Sequence, residues 1–287
     1  MSKWFAEAGR YNGMPLDDRS TSEVLGSPRP QLAPTPFEDG SDTYTYGPYY
    51  PGGSEIPEAV APNIRGRTYN IVATVDFSTT DFNEPLKGVL YSHGGRFGGH
   101  SFYLTQDTTT KKVRLCYVYN WLGRYQQKIS CEIPPTTNGE SVKLRVSFRK
   151  SSEQQYENQD FLDLFGLSTV GTVQMQIDGT PADELWEFSD DGENWFSWRE
   201  TQIVKGWTDR QQMITQPGKF ALCGEGMNIG RDGGQPVSMD YNAETSEFEG
   251  ATIKQVEVTI RQDFELNLGE RAKAHAEKIF AGMLWRD

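Results

Sequence analysis

The sequence predicts a mostly β protein, a two-sheet antiparallel β-sandwich with a short helix near each terminus. Three observations carry that prediction. Successive segments alternate apolar and polar residues with period two, the pattern of strands that bury one face. No helical stretch intervenes among them to make the crossovers that a parallel sheet needs. The composition, 12% aromatic with 29 Gly and 15 Pro in 287 residues, suits many short strands joined by tight turns.

Taken in order, Trp4 to Tyr11 reads as a short helix stopped by Asn12-Gly13 and Pro15. Residues 20–67 carry proline at 28, 30, 34, 36, 48, 51, 57 and 62, with Thr43-Tyr44-Thr45-Tyr46 between, and read as a linker or a coil wrapped on the surface. The strands are expected from Thr68. Tyr69, Ile71, Ala73, Val75 and Phe77 share one face, and Val113, Leu115, Tyr117 and Tyr119 repeat the pattern. So do Val142, Leu144, Val146 and Phe148, then Val173, Met175 and Ile177 before the turn Asp178-Gly179, and finally Val256, Val258 and Ile260. Shorter apolar runs stand at Val89–Tyr91, Phe102–Leu104 and Phe220–Cys223. Two stretches break the rhythm: the polar Ser151–Ser168, and Leu185–Trp207, whose four tryptophans flank Asp190-Asp191-Gly192-Glu193-Asn194 and read as an inserted hairpin. Ala272, Ala276, Ile279, Phe280, Met283 and Leu284 form one stripe of a C-terminal amphipathic helix. The expected organisation is therefore 1–19, a linker 20–67, and a sandwich with its helix over 68–287.

The formal charge of −12 argues against nucleic acid or an anionic membrane as a partner. Cys116, Cys131 and Cys223 have no metal-ligand spacing and read as buried free thiols. The first residues lack the apolar core of a signal peptide, and no run approaches a membrane span, so a cytoplasmic setting is the default expectation.

Candidate chemistry is sparse. There are three histidines and no Gly-x-Ser-x-Gly, and no catalytic set or cofactor site is expected. His93 and His100 bracket Gly94-Gly95-Arg96-Phe97-Gly98-Gly99, where glycines permit close approach of a ligand and Arg96 offers an anion contact. The competing reading is a wide hairpin loop whose imidazoles bond the backbone. Asn120-Trp121 offers an aromatic platform for a sugar, or simply packs a sandwich edge. Glu225 and Asp232, in a glycine-rich segment, are weak candidates for a hard cation, because six or more oxygens are needed and no local run supplies them. Asp17-Asp18 and Asp190-Asp191 read as solvated loops.

Several segments occurring in one order carry a family resemblance: Tyr50-Pro51-Gly52, Ile56 to Ile64, Ser92 to Tyr103, Tyr117 to Gly123, Gln216 to Leu222 and Gly230 to Ser238. The chain resembles the C-terminal region of large bacterial arylsulfatases, a domain of the concanavalin A/laminin-G-like jelly-roll type that follows the catalytic domain. Tyr11 to Arg19 is similar to the stretch that closes the sulfatase catalytic unit, which makes 1–19 a remnant of that unit. The segment Ser151–Ser168 and the Trp-rich insertion are longer than the resemblance leads one to expect. The sulfatase motif C/S-x-P-x-R is absent: in Cys131-Glu132-Ile133-Pro134 the proline comes one place late with no arginine, and Ser27-Pro28-Arg29 is out of register. The resemblance thus implies a non-catalytic accessory domain whose partner is a sulfatase catalytic unit, in cis or in trans, or a second copy that covers Trp4 and Phe5. The alternative is a free-standing lectin-like module that binds a glycan or sulfated ligand through His93, Arg96, His100, Asn120 and Trp121. A glycosidase on the same fold would need two carboxylates facing across a groove, and no Glu-x-Asp-x-x-Glu pattern is present.

Overall fold

Alternation of buried and half-exposed residues is carried directly into strands. The computed structural model describes residues 43–58, 60–64, 67–82, 84–121, 123, 125–134, 141–151, 169–190, 212–215 and 225–261. Along these the strands are β1 (Thr43–Tyr49), β2 (Tyr69–Asp76), β3 (Gly88–Gly95), β4 (Gly98–Gln106), β5 (Val113–Trp121) and β6 (Tyr125–Glu132). They continue as β7 (Ser141–Lys150), β8 (Thr169–Ile177), β9 (Thr180–Pro181), β10 (Glu184–Asp190), β11 (Gln212–Thr215), β12 (Met227–Ile229) and β13 (Thr252–Arg261). One sheet has the order β1-β13-β2-β7-β8-β11, with β9 paired to β8; the other runs β10-β6-β5-β4-β3-β12. Every strand pairing is antiparallel.

The inner faces make one core. Tyr69, Ile71, Ala73 and Val75 of β2 lie in register with Phe148, Val146, Leu144 and Val142 of β7, and all eight are buried. Opposite them stand Phe102, Leu104, Leu115, Tyr117, Tyr119 and Ile129 of the second sheet. Each such side chain taken from water stabilises the fold by about 1.5–3 kcal/mol before the entropy of ordering is charged against it. Gln127 of β6 closes one edge: its side-chain amide donates to Ile214 O at 2.8 Å and accepts from Ile214 N–H at 2.7 Å, so a buried edge strand keeps its backbone groups paired.

The two sheets differ on their outer faces. β2 alternates strictly and β7 and β13 nearly so; their outer residues are mostly polar and range from half-buried to exposed, with Ser147 buried. β3, β4 and β5 are buried on both faces over most of their length. The cause is the segment 231–246, which lies over the second sheet. Tyr241 packs there on Val89, Tyr103, Cys116 and Val118, and Tyr103 donates to Asp240 Oδ2 at 2.5 Å.

The first strand comes earlier than Thr68. The Tyr/Thr run expected to lie in a linker forms β1, paired with β13 from Thr43↔Arg261 to Tyr49↔Val256. Its β-branched and aromatic residues suit a strand, and its edge position tolerates Pro48. Farther along the Pro-rich stretch, Ile56 bridges to Met227, and Ala61 and Ile64 join the core. The hairpin expected at 185–207 begins as β10 on the edge of the second sheet, paired with β6. Its remainder, residues 152–168, the Phe220–Cys223 run and both stretches expected to be terminal helices lie outside the described residues. Among the described residues, no helix is long and apolar enough to cross a membrane.

Candidate functional site

The expected site residues fall at one end of the second sheet, where the β3–β4 and β5–β6 hairpins meet the 231–239 loop. The glycine-rich segment is mostly strand. His93 pairs with His100, Gly94 with Gly99 and Gly95 with Gly98, which leaves Arg96 and Phe97 as the turn. Two of these glycines are dictated by space. A Cβ on Gly99 would fall 2.3 Å from His93 O at a φ of +156°, and one on Gly95 would fall 2.9 Å from the backbone oxygen of Gln235.

Arg96 and Phe97 are the exposed members, Phe97 at 50%. His93, His100, Asn120 and Trp121 are buried. Asn120 is a fastener: its Nδ2 donates to Arg96 O at 3.1 Å and Val237 O at 3.0 Å, and its Oδ1 accepts from Gly123 N–H at 2.9 Å. One amide side chain thereby holds both hairpin turns and the loop together.

The imidazoles face inward, between the sheets. The Tyr117 hydroxyl lies 3.1 Å from His100 Nδ1 and 2.7 Å from the Tyr69 hydroxyl on the opposite sheet, while Tyr91 OH stands 3.4 Å from His100 Nε2. His93 lies against His100 with ring centroids 5.7 Å apart. Burial, reinforced by His93, holds the His100 pKa well below its usual 6.5, so the ring is neutral at pH 7 and has one donor and one acceptor nitrogen for its tyrosine partners. Burial also drives the Tyr69, Tyr91 and Tyr117 phenols upward, which keeps them protonated. The group is a hydrogen-bonded tie across the core.

On the outer face of the same sheet lies a group that sequence reasoning did not assemble. Asp232 Oδ2 accepts from Val237 N–H at 2.9 Å and from the Tyr241 hydroxyl at 2.8 Å, and the Tyr241 and Ser101 hydroxyl oxygens lie 2.7 Å apart. Ser246 Oγ bonds both the N–H and the C=O of Asp232, each at 3.1 Å, and Ser92 donates to Arg231 O at 3.1 Å. Asp232 Oδ1 has no hydrogen-bond partner among the described residues. Burial pushes this carboxyl up to about 6 against the pull of Val237 and Tyr241, and the charge of Glu225 adds to the rise. Glu225 itself is held by Gln235 N–H on its Oε1 at 2.8 Å. Glu225 and Asp232 are thus neighbours in charge. Among the described residues no three His, Cys, Asp or Glu side chains gather as a metal site.

At the opposite end a groove of about 840 Å³ opens between the sheets, lined by Arg114, Cys131, Val142, Ile177, Ala182 and Leu185 among others. Cys131 offers no nucleophile there: burial pushes its thiol up to about 12, and that of Cys116 up to about 11. Both are free and buried.

No protein-family model and no curated protein matches the chain.

Proposed function

We propose that this chain is a non-catalytic accessory module: a β-sandwich that packs on a sulfatase-type catalytic unit supplied in cis or in trans. The observation that carries the reading is where the resembling segments lie. Ile56 bridges to Met227, which is itself paired with His93, and Asn120 joins Arg96 to Val237. Segments far apart in sequence therefore assemble into one end of the sandwich. Their polar side chains are spent on holding that end in shape, as expected of residues that define a scaffold.

The same end turns apolar surface outward, with Phe97 50% exposed and Met239 59% exposed. Met239 N–H is bonded to Gln126 of the adjoining hairpin, so both side chains sit on constrained backbone. On this reading they meet the catalytic unit.

The test joins an activity assay to a binding assay. The purified chain, with or without Ca²⁺, should release no product from a chromogenic aryl sulfate above buffer. Light scattering with an arylsulfatase catalytic unit stripped of its own C-terminal domain should give a one-to-one complex, which Phe97→Asp weakens. Turnover that survives repurification and vanishes on one substitution in this chain would refute the reading, as would failure to form any complex.

A further inference from the structure

The outer face of the first sheet carries a charge opposite to that of the whole chain. Register places Thr43, Arg261 of β13, Thr68, Arg149 of β7, Thr172 and Gln212 in one row across the sheet. The next row is Thr45, Thr259, Asn70, Ser147 and Gln174, and the one after it Glu257, Val72, Arg145 and Gln176. In these three rows Arg145, Arg149 and Arg261 stand against the single carboxylate of Glu257. Farther along, Lys143 lies near Asp178, and Lys254 is paired with Asp76 at 2.8 Å.

The geometry is regular because the strands are. Arg145 and Arg149 are four residues apart on one strand, about 13 Å between Cα atoms, and Arg261 stands two strands from Arg149, about 10 Å away. Between these cations the face holds hydroxyls and amides: Thr45 and Thr259 share a hydrogen bond of 3.0 Å, and Gln176 Oε1 accepts from Arg145 at 3.4 Å. Arg149, Arg261, Thr172 and Gln174 are exposed.

We infer that this face binds an anionic polysaccharide, with Arg145, Arg149 and Arg261 taking its charged substituents and the Thr, Asn and Gln side chains its hydroxyls. The formal −12 does not forbid this. Asp240, Glu244, Glu247 and Glu249 belong to the segment that follows or covers the second sheet. Those acids stand on the far side of two packed sheets from the arginine face, farther than the sheet spacing of about 10 Å, while the Debye length for exposed charges at physiological salt is about 8 Å. Nucleic acid fits less well, because these rows present no aromatic side chain for a base to stack on. A membrane fits less well because Val72 is their one apolar side chain, and it is half-buried. The inference needs only the first sheet and stands whether or not the chain packs on a catalytic unit.

The probe is dextran sulfate, titrated into the full chain by calorimetry at low and physiological salt, with neutral dextran, a single-stranded oligonucleotide and vesicles containing anionic lipid as parallel arms. Dextran sulfate should bind, more weakly as salt rises, and neutral dextran should not. The triple variant Arg145→Gln/Arg149→Gln/Arg261→Gln should bind about tenfold more weakly or worse, with Lys87→Gln on another surface unchanged. Should the triple variant fold poorly by circular dichroism, Arg149→Gln and Arg261→Gln, each at an exposed position, are measured singly and must each weaken binding. The inference is overturned if dextran sulfate does not bind at low salt, if the arginine variants bind it as well as the parent, if neutral dextran binds equally, or if the oligonucleotide or the vesicles bind more tightly.

Discussion

Asp232→Asn turns the buried carboxyl into a measurable pH dependence. The Asp232 carboxyl, normally near 3.8, is pushed up to about 6 in the fold, chiefly by burial. A raised folded pKa means that the folded state holds the proton more tightly than the unfolded chain does. The stabilisation is therefore fully present below about 3.8 and is lost as pH rises through about 6. A shift of this size corresponds to about 3 kcal/mol over the whole window, and about 2 kcal/mol of it falls between pH 4.5 and 7.5. The asparagine retains an oxygen for Val237 N–H and Tyr241 but cannot titrate. Its absolute stability also depends on where its new N–H₂ finds acceptors, since the oxygen it replaces has no partner among the described residues. The pH-dependent difference between parent and variant is free of that term, and contributions common to both proteins cancel in it. Urea unfolding of the two at half-unit intervals should show the parent losing about 2 kcal/mol relative to the variant from pH 4.5 to 7.5. A difference flat to within about 0.5 kcal/mol would refute the account of Asp232 as a desolvated acid, and a difference of opposite sign would mean that the carboxylate is stabilised by a cation.

Two further outcomes follow from the same end of the molecule. Asn120→Ala removes three hydrogen bonds and leaves Arg96 O, Val237 O and Gly123 N–H without that partner, so denaturant melts should show a loss of about 2–4 kcal/mol; a loss under about 0.5 kcal/mol would mean that the two turns and the loop hold without it. His100, whose folded pKa lies below 6.5, contributes stability that is present above the unfolded value and lost as pH falls below it; its ring resonances should stay those of a neutral imidazole at pH 6 in the folded protein, and an ordinary titration near 6.5 would contradict its burial among tyrosines.

The sandwich was legible because its signal is local. Tyr69 to Phe77, Val142 to Phe148 and Val256 to Ile260 alternate within one strand length, and each became a strand of the first sheet with the apolar set inward. The same rule weakened between Val89 and Trp121. There the second sheet is covered on its outer face by the 231–246 segment, so both faces are buried and alternation disappears. A glycine-rich stretch that looked like a loop is consequently the paired end of a hairpin, with His93 and His100 in the core. β1 was hidden for another reason: prolines on both sides marked its surroundings as coil, and its partner β13 lies at the far end of the chain.

By itself the sequence determined the fold class, the inward face of each alternating strand and the fate of Cys116 and Cys131 as buried thiols, because hydrophobic periodicity and composition act at the range of a few residues. Tertiary structure alone decided what the polar residues do. Asn120 meets Val237 across 117 positions, Ser92 meets Arg231 across 139, and Tyr241 meets Ser101 across 140. It also aligned Arg145, Arg149 and Arg261 on one face. Hydrogen bonds and electrostatic fields act through space, and the chain order of a β-sandwich gives little indication of which strands and loops will be neighbours.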